Sequence, residues 1–359
     1  MMSLFGRNLR INIFGESHGP AIGVVIEGIP AGILIDMELV NEMLERRRPG
    51  TGRHVTRRTE GDVPEIISGV LDGKATGMPI ACIIRNNDTR SSDYKNLSSI
   101  PRPGHADYTA YVKYNGFNDI RGGGAFSGRL TAPLVFAGAL AISYLKERNI
   151  TIVSHLKSIG GIKDSVLDPM EYIAAQEAAI RQNRLPMIDS SASDLAEERL
   201  TEARMNLDSL GSEIETAVYG LEAGIGEPGF NSLESMIASI CFGVPGVKGI
   251  EFGKGFELAS MKGSRSNDEF HYVDSTVRTY KNDMGGILGG ISNGMPLVFN
   301  VCMKPTSSIS RKQRSVDLSK GVDAELEIKG RHDPCIGIRA VPVIESCAAI
   351  ALMDSILEA

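Results

Sequence analysis

The predicted strands of this 359-residue chain occur in neighbouring pairs instead of alternating one by one with helices. Alternating polar and apolar residues predict a strand over residues 8–14, and a second strand follows almost directly over 21–29. Another neighbouring pair is expected at 64–71 and 79–85. Paired strands favour an α+β fold, with layered sheets and helices, over a doubly wound parallel sheet.

Caps and prolines predict where the helices begin and end. Asp36 is expected to cap a helix that stops before Pro49, and Pro133 is expected in the first turn of an apolar helix that reaches about Glu147. The other predicted helices span 169–182, 193–207, 231–242 and 342–357, and the other predicted strands span 151–158, 213–220, 247–252 and 296–303. Since no linker or repeat divides the chain, we expect one domain over residues 1–359.

Charge and composition exclude several classes of protein. The net charge of −6 argues against a general nucleic-acid binder, which would carry a basic surplus. The apolar stretch 133–145 falls short of the roughly 20 residues that cross a bilayer, so we expect no membrane partner and a cytoplasmic location. The five cysteines form no C-x-x-C pair, so neither a metal site nor a redox dithiol is predicted, and reduced thiols are expected.

The segment 15–19, Gly-Glu-Ser-His-Gly, follows the first strand. It matches the G-x-S-x-G pattern of serine hydrolases, with Ser17 as the nucleophile, but that pattern needs a helix directly after the serine. The residues that follow are typical of a strand, so a hydrolase is the less favoured alternative. Because His18 stands between flexible neighbours, it is a candidate acid or base near neutral pH.

Arginines are concentrated in residues 46–58, where six occur in thirteen residues. Such a run is often only a solvated surface. In an acidic protein it also predicts a site for a small polyanion, because the guanidinium fork matches carboxylate and phosphate geometry.

Residues 86–130 show almost no periodicity, and a stretch of this length inside a compact protein is usually functional or disordered. It contains His105 and the glycines of 121–124. Closely spaced glycines before a helix let backbone N–H groups approach an anion. We therefore expect this stretch to contribute to the binding site.

Two C-terminal segments carry further candidates. Residues 304–308 offer an ammonium group and three hydroxyl groups after a strand, and they would suit a phosphate or a flavin. Asp333 precedes Pro334, which holds its backbone extended, and Arg331 and Arg339 flank it.

Taken together, these segments resemble chorismate synthase. The family patterns occur in order: GESHG, RRRPG, RSSDY, RPGHADYT, RGGG, GEPGF, GGILGGIS, KPTSSI and GRHDPCIGIRAVP. They extend from residue 15 to residue 342, and so the resemblance covers nearly the whole chain.

The resemblance implies a fold, a reaction and a cofactor. The family folds as a β-α-β sandwich, forms a homotetramer and converts 5-enolpyruvylshikimate 3-phosphate to chorismate and phosphate with reduced FMN. No flavin reductase module is visible, so an external flavin reductant is expected. NADPH would take part only indirectly. In bifunctional relatives it would bind near Arg47 and Arg53, and we do not expect such binding here.

The resemblance also assigns roles to residues. His18 protonates the departing phosphate, His105 protonates the reduced flavin, and Asp333 acts as the base on the ring C6 proton. The implied FMN contacts are Ser127, Gly289, Lys304, Pro305, Thr306, Ser307, Ser308 and Arg331. The implied substrate contacts are Ser17, Arg47, Arg53, Arg129 and Arg339.

One motif departs from the family pattern. Where the family usually has Gly-Gly-Gly-Arg-Ser-Ser-Ala-Arg-Glu, this chain has Ala125 and Phe126 in place of Arg-Ser, Gly128 in place of Ala and Leu130 in place of Glu. A cation near the flavin is therefore missing, and we expect the backbone to cradle FMN with altered packing beside Phe126. A non-catalytic anion-binding protein is a third alternative, and it predicts no cofactor and no phosphate release.

Overall fold

The structure is a computed structural model that describes residues 4–48, 61–86, 99–328 and 333–357. The strands are β1 (Leu4–Phe5), β2 (Arg10–Gly15), β3 (Ala21–Glu27), β4 (Pro64–Ser68), β5 (Val70–Leu71), β6 (Lys74–Ala75), β7 (Ile80–Arg85), β8 (Thr151–Ile159), β9 (Ile162–Lys163), β10 (Ser212–Tyr219), β11 (Val247–Phe252), β12 (Phe270–Val273), β13 (Thr276–Thr279), β14 (Ile287–Leu288), β15 (Ile291–Ser292), β16 (Leu297–Met303), β17 (Gln313–Asp317) and β18 (Val322–Leu326). The α-helices are α1 (Met37–Arg47), α2 (Asp107–Lys113), α3 (Thr131–Lys146), α4 (Ala174–Gln182), α5 (Ser190–Met205), α6 (Leu233–Phe242), α7 (Gly263–Ser266) and α8 (Gly337–Ile356).

Two antiparallel sheets form the outer layers of the fold. The first has the order β1-β2-β3-β7-β4, and the second has the order β11-β16-β10-β8-β9. In the first sheet, alternate side chains such as Ile22, Val24 and Ile26 of β3 point into the core, as expected of a strand with one buried face. The remaining strands form short two-stranded hairpins, among them β12-β13 and β17-β18.

Helices α3 and α8 pack against each other between the two sheets. Helix α3 also contacts β3 and β7 of the first sheet, and α8 contacts β8 and β10 of the second. Most side chains of both helices are buried, because each helix meets protein on nearly every side. The segment Gly128–Lys146 is long and apolar enough to cross a membrane, but 89% of it is buried in this core. Its apolar character is therefore explained by the sandwich.

The close approach of α3 and α8 depends on Gly138. A methyl group at this position would lie 2.1 Å from Cβ and 2.6 Å from Cα of Ser346 on α8. We expect Gly138→Ala to lower the free energy of unfolding by about 1–3 kcal/mol, because the two helices must separate to admit it. This cost would exceed the intrinsic helix preference of alanine over glycine, which is about 1 kcal/mol. Denaturant unfolding measures the difference.

A matched control for this substitution is Gly263→Ala in α7, where no heavy atom lies within 4 Å of the added methyl group. The control should be close to neutral. If the alanine variant at position 138 were as stable as the parent, close helix packing at this point would be disproved.

The predicted α+β fold class is confirmed, and the long strands and most helices lie within a few residues of their predicted bounds. Three expectations were wrong in detail. The irregular stretch contains helix α2, the helix expected from residue 169 begins at Ala174, and α8 begins at Gly337 with Pro342 inside it. Backbone hydrogen bonds from Arg339 and Ala340 to the carbonyl of Ile336 start α8 before the proline. The single-domain organisation stays a prediction.

Candidate active site

The turn between β2 and β3 holds Ser17 and His18, and both side chains are buried. Asn86, directly after β7, fixes this turn because its Nδ2 donates to the carbonyls of Glu16 (3.0 Å) and Gly19 (2.9 Å). Since β3 follows the turn, no helix stands directly after Ser17, and the hydrolase elbow is not formed.

Two histidines from distant segments meet at adjacent glycines. A methyl group on Gly122 would lie 2.4 Å from Cδ2 and 2.6 Å from Nε2 of His18, while one on Gly123 would lie 3.5 Å from Cε1 and Nε2 of His105. Both glycines have positive φ, 61° and 90°, which side-chain-bearing residues rarely adopt. The glycine segment therefore forms a ledge that side chains cannot fill, with His18 and His105 against it.

His105 is held by two charged neighbours. Its Nδ1 lies 2.6 Å from Oδ1 of Asp107 and 3.2 Å from Nη2 of Arg102. Arg102 is itself paired with Asp107 through Nε and Nη2, at 2.7 Å and 2.8 Å. Burial alone would raise the pKa of Asp107, but hydrogen bonds from Arg102 and His105 outweigh it and hold that pKa well below its usual range.

The segment 304–308, which follows β16, connects His105 with Asp333. Ser308 Oγ accepts from Arg102 Nη1 at 3.2 Å, and Thr306 Oγ1 donates to the main-chain carbonyl of Asp333 at 3.0 Å. Partial burial, together with repulsion from Lys248, lowers the pKa of Lys304. An anion bound close to Lys304 would therefore stabilise its ammonium group.

Asp333 and Arg339 form an ion pair with 2.8 Å between Oδ2 and Nη1. The side chain of Asp333 is 8% exposed, and Arg339 Nε also donates to the main-chain carbonyl of Arg47 at 3.0 Å. These contacts join the start of α8 to the end of α1. They place a carboxylate and a guanidinium beside segment 304–308.

Asp62 connects two further arginines. One carboxylate oxygen accepts from Arg47 Nη1 at 2.8 Å, and the other accepts from Arg129 Nη1. Arg47 is 2% exposed and also donates to Thr131 Oγ1, whereas Arg129 Nε donates to Asn86 Oδ1 at 3.1 Å. Ser127 Oγ accepts from the amide of Arg129 at 3.2 Å and so fixes the backbone that carries this arginine.

The structure thus brings most of the predicted site residues into one connected network. Arg53 and Arg331 lie outside the described residues. Gly289 lies in the turn between β14 and β15, which packs on Glu227 and Ser232 through its neighbour Gly290. Gly286, just before β14, lies against Pro296 and Leu297 at the start of β16, whereas Lys304 directly follows the end of that strand.

Four residues of the network were not predicted as functional: Asp62, Asn86, Arg102 and Asp107. Arg102 and Asp107 stand three residues before and two residues after His105, and their charge was the available signal. For Asp62 and Asn86 the sequence gives no comparable signal, because their partners come from distant elements.

A cavity of about 690 Å³ opens on the outer face of the second sheet. Glu213, Glu251 and Asn300 line it, and it reaches the predicted cofactor segment only at Lys304 and Pro305. It is therefore not the place where the histidines meet. Among the described residues, no group of three or more His, Cys, Asp or Glu side chains is arranged to hold a metal ion.

Comparisons with known proteins agree on one family. The chorismate synthase family model matches residues 9–357. The chain is 43% identical over 356 residues to the chorismate synthase of Korarchaeum cryptofilum, covering 99% of this chain and 97% of that protein. It is 45% identical over 358 residues to that of Archaeoglobus fulgidus, with coverage of 99% and 97%. A crystal structure of a chorismate synthase matches with a TM-score of 0.76 at 27% identity, covering 98% of this chain and 93% of that one.

Proposed function

The chain belongs to the chorismate synthase family, and we propose that it eliminates phosphate from 5-enolpyruvylshikimate 3-phosphate in a 1,4-anti reaction that yields chorismate and requires reduced FMN. The reaction is a carbon–oxygen lyase step in the shikimate pathway to aromatic amino acids. One observation supports the proposal above all others: His18 and His105 flank the ledge of Gly122 and Gly123.

The charges of the network suit this substrate, which carries two carboxylates and a phosphate. Arg47 and Arg129 pair with Asp62, and Arg339 pairs with Asp333, so three guanidinium groups lie close together here. A further ion pair at 4 Å would contribute about 4 kcal/mol at an effective dielectric constant near 20. Because Arg47 is deeply buried, its influence on the substrate would pass chiefly through Arg129 and Arg339, which it helps to hold.

The residues present also fit an anionic, planar cofactor. Lys304 supplies an ammonium group that burial and Lys248 destabilise and that a nearby anion would stabilise, and the ledge beside Ser127 leaves room that a side chain would fill. Segment 304–308 and Ser127 would hold FMN, and Arg331 is a further candidate outside the described residues. Bound reduced flavin would supply an electron-rich partner that no side chain offers. Phe126 stands in place of the family's usual serine, and its ring centroid lies 6.4 Å from that of Tyr114. Two aromatic rings therefore lie beside the end of the glycine segment.

Proton transfer is assigned to three side chains. His18 would donate to the departing phosphate, and His105 would hold a proton beside the cofactor. Asp333, oriented by Arg339, would take the proton from ring carbon C6. Positioned acids and bases of this kind each contribute about 10²–10⁴-fold to rate.

Assembly and location follow from the family in this proposal. We expect a homotetramer in the cytoplasm, supplied with reduced flavin by an external reductant.

The test is anaerobic release of phosphate from 5-enolpyruvylshikimate 3-phosphate, with and without reduced FMN. We expect release only with reduced FMN, and a loss of about 10²-fold or more in His18→Gln. A fluorophosphonate probe should leave Ser17 unlabelled, whereas a serine hydrolase would be labelled there. An absence of phosphate release under these conditions would overturn the proposal and favour a non-catalytic anion-binding protein.

A further inference from the structure

We propose that Asp107, held in place by Arg102, is a positioning residue that fixes His105 with its proton on Nδ1, so that Nε2 is left to act at the glycine ledge. The inference deepens the proposed function, on which it rests for the role of His105. It gives a role to two residues that are not themselves proposed to transfer a proton.

The carboxylate of Asp107 has a fixed orientation. Arg102 contacts both of its oxygens, with Nε 2.7 Å from Oδ2 and Nη2 2.8 Å from Oδ1, and the amide of Arg102 donates to Oδ2 at 3.0 Å. Such a bidentate contact fixes the plane of the carboxylate as well as its distance from the guanidinium group. Both side chains are largely buried, with 6% and 11% exposure, so water competes little for these bonds.

Two groups approach Nδ1 of His105, and they demand opposite protonation. Asp107 Oδ1, at 2.6 Å, can only accept, while Arg102 Nη2, at 3.2 Å, can only donate. The shorter contact decides, because an unprotonated Nδ1 would place a lone pair 2.6 Å from a carboxylate oxygen. Arg102 Nη2 already donates to the same carboxylate, so it does not need Nδ1 as an acceptor.

The carboxylate is available as an acceptor at any working pH. Although burial opposes ionisation, the hydrogen bonds from Arg102 and His105 hold the pKa of Asp107 well below its usual range. Asp107 therefore remains charged. A fixed acceptor on one ring nitrogen determines which proton the other nitrogen can exchange.

The free end of the ring lies at the ledge. Nε2 and Cε1 of His105 are both 3.5 Å from the position of a methyl group on Gly123, and Nε2 of His18 lies beside Gly122 in the same way. Arg102 also donates to Ser308, so the same guanidinium ties the histidine to segment 304–308. Asp107 and Arg102, together called the clamp, thus direct one nitrogen of His105 to the space where the proposed chemistry occurs.

A purely structural role is the competing explanation. Asp107 is the first residue of α2, and the bond from the Arg102 amide closes the turn before that helix. Asp107→Asn would retain much of this turn, since an amide oxygen still accepts from Arg102. It would offer His105 Nδ1 either a carbonyl or an amino group, without the charge.

The experiment compares the full-length parent, Asp107→Asn and Asp107→Glu, each with ¹⁵N-labelled histidine rings and bound reduced FMN. Solid-state NMR of the sedimented protein reports which ring nitrogen carries the proton, and His105→Gln identifies the signal among the six histidines. We expect Nδ1–H in the parent, loss of that state in the asparagine variant and its partial return in the glutamate variant. Turnover should fall by about 10–100-fold in the asparagine variant, less than the full contribution of an acid or base, with KM little changed.

Glu197→Gln serves as the matched control. It removes the carboxylate on α5 that pairs with the exposed Arg184, and it should leave the His105 signal unchanged. An Asp107→Asn protein that keeps Nδ1 protonated would overturn the proposal, and so would an Nε2–H tautomer in the parent. The NMR readout does not depend on turnover. A parent that shows the clamp signal but releases no phosphate would therefore refute the proposed function and leave the clamp intact.

Discussion

Replacing Asp333 by asparagine is expected to lower the turnover number by about 10²–10⁴-fold, the contribution of a well-placed base. The amide nearly matches the carboxylate in shape and can still accept a hydrogen bond from Arg339. The main-chain carbonyl that accepts from Thr306 is unchanged. What is lost is the negative charge beside Arg339 and, with it, the capacity to take a proton. Phosphate release in a single turnover with saturating reduced FMN measures the effect.

A kinetic isotope effect separates a lost base from a displaced arginine. With deuterium at ring carbon C6, the Asp333→Asn protein should be slowed more than the parent, because proton removal becomes the limiting step. Asp36→Asn is the matched control, since Asp36 caps α1 at the end remote from Arg47 and asparagine caps equally well. A variant at position 333 that keeps more than a tenth of the parent rate would exclude Asp333 as the base.

The sequence predicted those elements whose local pattern and tertiary environment agree. In α1, Asp36 accepts from the amides of Glu38 and Leu39, as a capping aspartate should, and the helix ends at Arg47. Helix α3 begins close to Pro133 because proline fits the first turn of a helix. The resemblance to chorismate synthase, built on motifs spread through the chain, is confirmed by the family model and the relatives.

The errors came where the local pattern carried no signal or where tertiary contacts overrode it. Helix α2 buries only Ala110, so it has no apolar periodicity that a sequence pattern would reveal. The first turn of α8, which precedes Pro342, is stabilised by packing in the core and by hydrogen bonds to the Ile336 carbonyl. Neither feature is visible in residues taken one segment at a time.

The sequence named candidate site residues but not the contacts between them. Motifs identified His18, His105 and Asp333, and the network connects the segments that carry them. The inward turn of Arg47 onto Asp62 was not visible in the sequence, because the run of six arginines looked alike along its length. Likewise, Asn86 gains its importance only when β7 ends beside the turn that carries His18. Such relations depend on which distant elements meet, and one sequence does not encode them locally.

A buried histidine with two carboxylate partners, remote from the candidate site, contributes to the stability of the fold. His155 in β8 is fully buried, with Nδ1 2.9 Å from Asp164 Oδ2 and Nε2 3.0 Å from Glu215 Oε2. Burial alone would lower the pKa of His155, but the hydrogen bonds and charges of the two carboxylates outweigh it and raise that pKa. Burial would conversely raise the pKa of Asp164, yet the His155 contact and the amides of Ile188 and Asp189 lower it.

We expect His155→Gln to lower the free energy of unfolding by about 3–5 kcal/mol near pH 6, because it removes the buried cation that lies between the carboxylates of Asp164 and Glu215. Lys157, 3.7 Å from Glu215, remains to balance only the second of these carboxylates. The raised pKa sets the direction of the pH dependence. In the unfolded chain, histidine loses its proton near pH 6.5, so the stabilisation is fully present below that value. Above it, the stabilisation declines by up to about 1.4 kcal/mol per pH unit until the pKa of the folded state is passed.

Guanidinium unfolding of parent and variant at several pH values between about 6 and 9 measures this difference, since both ends of that range lie well above the usual pKa of aspartate. The gap between the two proteins should narrow steadily as the pH rises. Arg184→Gln removes an exposed pair with Glu197 and should leave the unfolding midpoint unchanged across the same series. A gap at position 155 that stayed constant or widened with rising pH would show that the folded protein does not raise the pKa of this imidazole, and the charged bridge between β8 and β10 would then be wrong.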